Sequence, residues 1–415
     1  MYDFANSGYT TVVLTAIFNA YFVGVVAGGE VGVEHGTATL LWAIAVAGAN
    51  ALVLLSAPLL GAIADHLAVK KRILLVTTAG CVICTALLSL VGPGDIVLAM
   101  MLVLLASVMF ASGENLISAF LPELSEPRHM GRISGYGWSL GYLGGILSLG
   151  LCLAYIGWAR KQGIEESRYI PVTLLITAVI FAVAATPTFL WLRERAVPSP
   201  LPTGVSLLRA GFSRVHHTLR EATRFRDLFR FLVALSVYQA GVATVVVLAA
   251  VYAQEVVGFN RQQLVVLILV VNVTSSVGAF VFGFIQDKIG SVRALTMSLG
   301  IWIAAIIIVF FADESADLWI AGNLVGLAMG ASQSVGRALV GQFTPVAYTG
   351  EFYGLWGVSN RLAAIIGPMS YGLVNFWTGG NHRIAILSTL VFLVAGLGLL
   401  LTVDEQRGKA SALTG

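Results

Sequence analysis

Gly61-Ala62-Ile63-Ala64-Asp65-His66 closes one long apolar run, and Gly283-Phe284-Ile285-Gln286-Asp287-Lys288-Ile289-Gly290 closes another in the second half of the chain. Basic residues follow both, Lys70, Lys71 and Arg72 in the first case and Lys288 and Arg293 in the second. A second element repeats in the same order. Gly131-Arg132-Ile133-Ser134-Gly135-Tyr136 opens an apolar run in the first half, and Gly350-Glu351-Phe352-Tyr353-Gly354-Leu355 opens one in the second. Matching elements at matching places indicate an internally duplicated chain, and a membrane protein with such a repeat is built as a secondary transporter is built.

The composition agrees. A chain of 415 residues that is 58% hydrophobic and 11% charged, with mean hydropathy +0.88, has too many apolar side chains for a soluble core. About 20 residues cross the hydrocarbon of a bilayer. Runs of that length are read at 7–27, 40–62, 73–91, 96–119, 133–157 and 171–192, then at 230–253, 264–285, 294–312, 318–339, 352–376 and 384–403. The expected fold is therefore all-α, with twelve transmembrane helices in two six-helix bundles: residues 1–192, a linker at 193–229, residues 230–403, and a tail at 404–415. The first run lacks a basic leader and is too long for a cleaved signal, so it is expected to persist as the first helix.

Lys and Arg set the orientation, because cytoplasmic loops retain them. With both termini inside, the inner loops hold Lys70, Lys71, Arg72, Arg128, Arg132, Lys288, Arg293, the arginines between Arg193 and Arg230, Arg407 and Lys409. The outer loops keep only Arg160, Lys161, Arg168, Arg261 and Arg383. The net charge of +3 is thus a matter of topology, not of nucleic-acid binding. In the linker, Leu208, Phe212, Val215, Leu219 and Phe225 alternate with Arg209, Arg214, Arg220 and Arg224, which predicts an amphipathic helix on the inner leaflet. His216 and His217 are read there as solvated residues. Cys81 and Cys84 have no third ligand close in sequence and are read as packing. No metal or other cofactor is expected, and no Gly-x-Ser-x-Gly, His-Glu-x-x-His or phosphate-cradling glycine loop points to an enzyme or an ATP-driven pump.

The twice-used Gly-x-x-x-Asp element with trailing basic residues resembles the signature loop of the major facilitator superfamily. The opening Tyr2-Asp3-Phe4-Ala5-Asn6-Ser7-Gly8-Tyr9-Thr10-Thr11 looks like the hallmark of one branch, the UMF1/Atg22-like family of vacuolar amino-acid effluxer-like permeases. Gln333-x-x-x-Arg337, the segment Gly350 to Trp356, and Gly367-Pro368 are similar to that family's second-half pattern, so the resemblance spans essentially the whole chain. One departure concerns the seventh run, where members usually carry Tyr-x-Asp-Gly-x-x-Thr. Here Tyr238-Gln239-Ala240-Gly241-Val242-Ala243-Thr244 has alanine in the acid's place.

The resemblance implies that Asp65 and Asp287, with Gly61, Gly283, Arg132 and Lys288, form a cytoplasmic gate in which the acids engage helix ends and arginines. Glu114 and Arg337, near the cytoplasmic ends of the fourth and tenth runs, are gate or structural groups. Whether Glu114 pairs with Arg132, Arg128 or a residue of the other half is open. Asp3 and Arg361 are charges at membrane depth, Arg361 about 14 Å into the eleventh run at about 1.5 Å per residue. Such charges face a wet cavity, a counter-ion or a substrate. Asn6, Asn19, Tyr21, Asn115, Tyr238, Gln239, Asn272 and Asn360 are neutral hydrogen-bonding candidates for substrate, with helix–helix contact as the alternative. Glycines 137, 141 and 145, and 322, 326 and 330, recur every four residues and are read as close helix packing.

The expectation is a monomeric, multi-pass permease, in the cytoplasmic membrane if the host is bacterial, moving a small polar solute by alternating access with a possible proton partner through Asp3 or Glu114. The resemblance implies an amino-acid-like solute moved outward. The rival readings are a non-transporting sensor or assembly factor on the same fold, and a transporter of lipid or drug-like molecules.

Overall fold

The computed structural model describes residues 1–28, 32–195 and 224–414, and those residues form helices joined by short turns, with no strand among them. Backbone groups in hydrocarbon must find partners within their own segment, so each apolar run closes its hydrogen bonds as a helix. The long helices are α1 (Tyr2–Val26), α2 (His35–Leu67), α3 (Lys70–Leu87), α4 (Ile96–Ser118), α5 (Met130–Lys161) and α6 (Glu166–Trp191). The second series is α7 (Arg226–Val257), α8 (Arg261–Ile289), α9 (Ser291–Phe311), α10 (Ser315–Phe343), α11 (Thr349–Trp377) and α12 (His382–Leu400), followed by a tail helix, α13 (Glu405–Thr414). Ten of the twelve long helices are both long and apolar enough to span a membrane. The two others, α10 and α11, are 29 residues each, but their glycines and polar residues dilute the apolar content. The protein is a multi-pass integral membrane protein. Most of the linker helix read from the sequence, with His216 and His217, lies outside the described residues; its last apolar residue, Phe225, is buried in the second unit at the start of α7, not laid on a leaflet.

Local chemistry sets the ends. Gly258 at φ 75° closes α7 in the left-handed region where a side chain is strained. Asn260 then starts α8 with a reciprocal capping box: its side chain accepts from the Gln263 N–H at 2.9 Å, and the Gln263 side chain accepts from the Asn260 N–H at 2.9 Å. One expectation is corrected here. The runs read at 40–62 and 264–285 stop short of Asp65 and Asp287, but the helices continue: Asp65 lies in the last turn of α2 and Asp287 in the last turn of α8. Both segments consist largely of Ala, Ile, Phe and Gln, which continue a helix readily. α1 departs from α-helical geometry at Tyr9–Ala16 and Phe22–Val26, where wider π turns bond residue i to i−5, as Ile17 N–H does to the Val12 carbonyl at 3.0 Å. Such turns are rare and are frequently found at functional sites.

The chain forms two compact units. The first comprises Met1–Ser56, Val69–Ile117 and Leu140–Arg195; the second comprises Ala57–Ala68, Ser118–Ser139 and Ala196–Gly415. The ends of α2 and α5 that carry the repeated elements therefore pack with the second half of the sequence rather than with their own.

In the first unit α1 crosses α5 closely: a Cβ on Gly141 would lie 3.2 Å from the Asp3 carbonyl, and one on Gly144 would strike the Phe4 carbonyl. The Tyr9 hydroxyl hydrogen-bonds Ser107 of α4 at 2.9 Å. Glu194, just past α6, accepts from the first N–H groups of α3, Lys70 at 2.7 Å and Lys71 at 3.1 Å. In the second unit Gly322, Gly326 and Gly330 of α10 meet Leu267, Thr274 and Ser275 of α8, which is the packing use expected of that glycine repeat. Trp302 fills the core, its indole N–H donating to Ser332 at 3.3 Å.

A candidate conformational latch

Each repeated aspartate caps the first turn of the helix that opens the matching element in the other half of the sequence. Gly350 N–H donates to Asp65 Oδ1 at 2.9 Å and Glu351 N–H to Asp65 Oδ2 at 3.0 Å, so Asp65 sits on the N-terminus of α11. The Thr349 hydroxyl adds a longer contact at 3.4 Å. Asp287 does the same for α5, accepting from Gly131 N–H at 3.0 Å and Arg132 N–H at 3.3 Å. The Arg132 Nε–H also donates to Asp287 at 3.0 Å, and its guanidinium stacks on Phe284. A carboxylate satisfies the open N–H groups of a helix start and faces the positive end of its dipole, which stabilises the contact by about 0.3–1 kcal/mol, with about 1.5–3 kcal/mol for a charged hydrogen bond.

The glycines let the backbones come this close. A Cβ on Gly350 would lie 2.7 Å from the Gly61 carbonyl, one on Gly354 2.6 Å from the Ala57 carbonyl, and one on Gly61 would strike the Gly350 carbonyl. At the matching crossing a Cβ on Gly135 would lie 2.6 Å from the Ala279 carbonyl, and one on Gly283 2.9 Å from that of Gly131. The two crossings thus share a ladder of close approaches four residues apart.

Arg337 of α10 reinforces the α5 side. It donates from Nε to the Ser134 hydroxyl at 3.1 Å and from Nη2 to the Ser134 carbonyl at 3.0 Å, with its guanidinium over the Trp138 ring. Its own carbonyl accepts from the Tyr353 hydroxyl at 2.8 Å, which ties α10 to α11. A polar chain runs beneath Asp287. Gln286 donates to Ser291 at 2.8 Å, Ser291 to Gln342 at 2.6 Å, and Gln342 to the Pro127 carbonyl at 3.0 Å. Sequence reading nominated Arg337 without its partner and missed Ser134, Gln286, Gln342 and the four receiving glycines. Gly131, Gly135, Gly350 and Gly354 were visible in the repeated elements, but their partners lie far away in sequence. Lys288 is exposed beside Asp287.

The substrate candidates divide between the units. Asp3, Asn6, Asn19, Tyr21, Glu114 and Asn115 are in the first, and Tyr238, Gln239, Asn272, Asn360 and Arg361 in the second. Asn6 and Asn115 are buried, and Asp3 and Glu114 are half-buried. Beside Asp3, the Tyr2 hydroxyl hydrogen-bonds Thr78 of α3 at 2.9 Å. Of the arginines considered for Glu114, Arg132 pairs with Asp287 and Arg128 with Glu126. Tyr21 is buried against Phe18, and Asn19 is partly exposed. Asn272 and Asn360 donate back to their own helices, to Ile268 at 2.8 Å and Trp356 at 2.9 Å. Tyr238 is 1% exposed in the second unit's core, while Gln239 and Arg361, the latter near the middle of α11, are partly exposed. Ala240 is fully buried, and a Cβ on Gly367 of α11 would strike its carbonyl.

The family model described as "Vacuole effluxer Atg22 like" matches residues 25–413. The chain belongs to the Atg22-like family. An MFS-type transporter of Bacillus subtilis, YxiO, is 26% identical over 98% of this chain and 94% of its own length. Autophagy-related protein 22-1 of Aspergillus niger is 23% identical over 68% of this chain and 48% of its own length, so this Atg22-like chain spans about half of that fungal relative. Among solved structures, the human organic anion transporter MFSD10 superposes with a TM-score of 0.72 at 15% identity, over 96% of this chain and 97% of that one. The Escherichia coli fucose:proton symporter FucP gives 0.72 at 13%, over 97% and 96%. Family and fold are those of major facilitator transporters and not of an enzyme.

Proposed function

We propose that this Atg22-like protein is a secondary transporter that exports a small, polar, amino-acid-like solute by alternating access, with its basic loops and both termini in the cytoplasm. The observation that carries this reading is the reciprocal capping of α11 by Asp65 and of α5 by Asp287. A carboxylate on a helix end is a bond that can be made and broken without leaving hydrocarbon-buried charge, because water serves both partners when the contact opens. Used once in each half, it is a latch for the cytoplasmic side. Arg361 is proposed to meet the anionic group of the solute, since a planar guanidinium binds carboxylates in a two-pronged manner. The Bacillus relative's description as an MFS-type transporter and the Atg22-like family membership support the reading.

The test uses a cysteine at Ala338, which is fully buried against Leu121 and Met130 and would be uncovered if this side opened. In Asp65→Asn one latch N–H faces an amide NH2 instead of an oxygen. The loss is about 1–3 kcal/mol, a shift of roughly 5- to 150-fold toward the unlatched state. Labelling of the cysteine should accelerate and solute efflux from proteoliposomes should slow, while the melting temperature in detergent holds. Unchanged labelling together with normal efflux would sink the proposal.

A further inference from the structure

We propose that the tail helix α13 is a brace that positions the start of α11 for the Asp65 latch, acting through the first turn of α7; this rests on the latch reading above. The tail is fastened at several points. Arg407 grips Asp227 with both prongs, Nε to Oδ2 at 2.5 Å and Nη2 to Oδ1 at 2.7 Å, and Asp227 is itself 2% exposed. The Asp404 N–H donates to the same carboxylate at 3.0 Å. Glu405 accepts from the Val292 N–H at 2.9 Å, capping the N-terminus of α9, and pairs with Lys409 at 2.5 Å. Gly408 lies flat on Phe343, the last residue of α10, so closely that a Cβ would come within 2.6 Å of the ring. One short helix thus grips the basic-end termini of α7, α9 and α10.

The next link is aromatic. Asp227 belongs to the turn that also carries Phe225 and Phe229. Phe225 packs edge-on against Phe352 at 5.2 Å and at a tilt against Tyr348 at 6.5 Å, and Phe229 packs edge-on against Phe352 at 6.2 Å. Tyr348 and Phe352 flank Thr349, Gly350 and Glu351, the three residues that face Asp65. The contacts run without a gap from Arg407 through Asp227, Phe225 and Phe352 to the N–H groups that Asp65 accepts. Releasing the tail frees the α7 turn to shift, and with it the wall against which the latch turn of α11 is held. Arg407, Asp227 and Phe225 are positioning residues in this scheme, and none of them contacts solute.

The first half of the sequence holds a partial counterpart, Glu194 on the N-terminus of α3, which matches Glu405 on the N-terminus of α9. The counterpart shows that a carboxylate past the sixth helix of each half secures the start of the third.

The test compares labelling of the cysteine at Ala338 in full-length protein carrying Arg407→Ala, Arg407→Lys, Asp65→Asn, and Arg407→Ala with Asp65→Asn, each with its melting temperature. The brace predicts that Arg407→Ala accelerates labelling severalfold, that Arg407→Lys gives back part of the protection, and that the double variant labels no faster than Asp65→Asn alone. A purely structural tail predicts a lower melting temperature with labelling unchanged, and that result would overturn the brace while leaving the latch intact. Multiplicative effects in the double variant would overturn it too, since two independent contacts would then be acting. Should Asp65→Asn leave labelling unchanged, the latch reading fails first and the brace with it. Phe225→Leu, which keeps apolar bulk but removes the edge-on ring contacts, should reproduce Arg407→Ala; labelling as slow as the parent's would overturn the aromatic link.

Discussion

Gly61 shows how much of this protein turns on single atoms. Its Cβ position is occupied by the Gly350 carbonyl, and backbone cannot swing aside as a side chain can. Gly61→Ala should therefore prevent the α2–α11 crossing from closing, with transport lost and membrane insertion kept, whereas Gly372→Ala on the same α11 meets nothing within 4 Å and should be neutral. Efflux and surface expression measured on both variants check this. Arg361 presents a different case. If it meets the solute, Arg361→Lys should keep the charge, lose the fork geometry and raise the apparent binding constant more than it changes the melting temperature. Arg361→Ala should lose binding in a folded protein. A structural ion pair would instead cost about 3–5 kcal/mol on loss of the cation, and an alanine variant that melts early while its folded fraction still binds would exclude the substrate role.

At the scale of elements, the tail helix carries a pH dependence of known sign. Burial pushes the Glu405 carboxyl up, but the bond from Lys409 and the N–H groups of Val292 and Ser291 outweigh it and hold the group below its usual range. A carboxylate depressed in the folded state adds stability above its unfolded value, about 4.3, and loses that contribution as the pH falls through its folded value. The docking of α13 should thus be intact at neutral pH and loosen only in acid below the ordinary glutamate range. Amide exchange of residues 405–414 measured across that window, with Glu405→Gln already loosened at neutral pH, checks the assignment. α1 teaches a related lesson about elements. Its run of Tyr, Thr and Val marked a membrane helix with polar residues, yet nothing in that pattern distinguishes π turns from α turns, because the distinction depends on what packs around the helix. The acids of the Gly-x-x-x-Asp elements likewise fall beyond the apolar runs read at 40–62 and 264–285, because an aspartate ends a hydrophobic pattern. They are helical because the acid is satisfied by another helix's N–H groups.

For the molecule as a whole, Ala240 is the feature with the widest consequence. The family resemblance implies an acid there, and here the position is fully buried, close under Gly367 of α11. Any dependence of transport on a proton gradient should accordingly be weak, or run through Asp3 and Glu114, which are half-buried in the first unit. Efflux from proteoliposomes with and without a pH gradient measures this. A steep dependence that survives in an Asp3→Asn, Glu114→Gln double variant would show that other groups carry the proton.

Sequence alone determined the class of molecule, the apolar runs, the repeated short elements and the prominence of Asp65 and Asp287, which cap α11 and α5. Each of these follows from local patterns: hydrophobic length, the distribution of basic residues, and repeated short elements. Only the tertiary structure decided what the acids hold. Asp65 and Gly350 are far apart in sequence, as are Asp287 and Gly131, Arg337 and Ser134, and Arg407 and Asp227. A backbone N–H at a helix start looks the same in every helix, so no pattern of side chains announces which acid will cap it. The choice is made where helices cross, by glycines that bring two backbones close enough for one side chain to reach across.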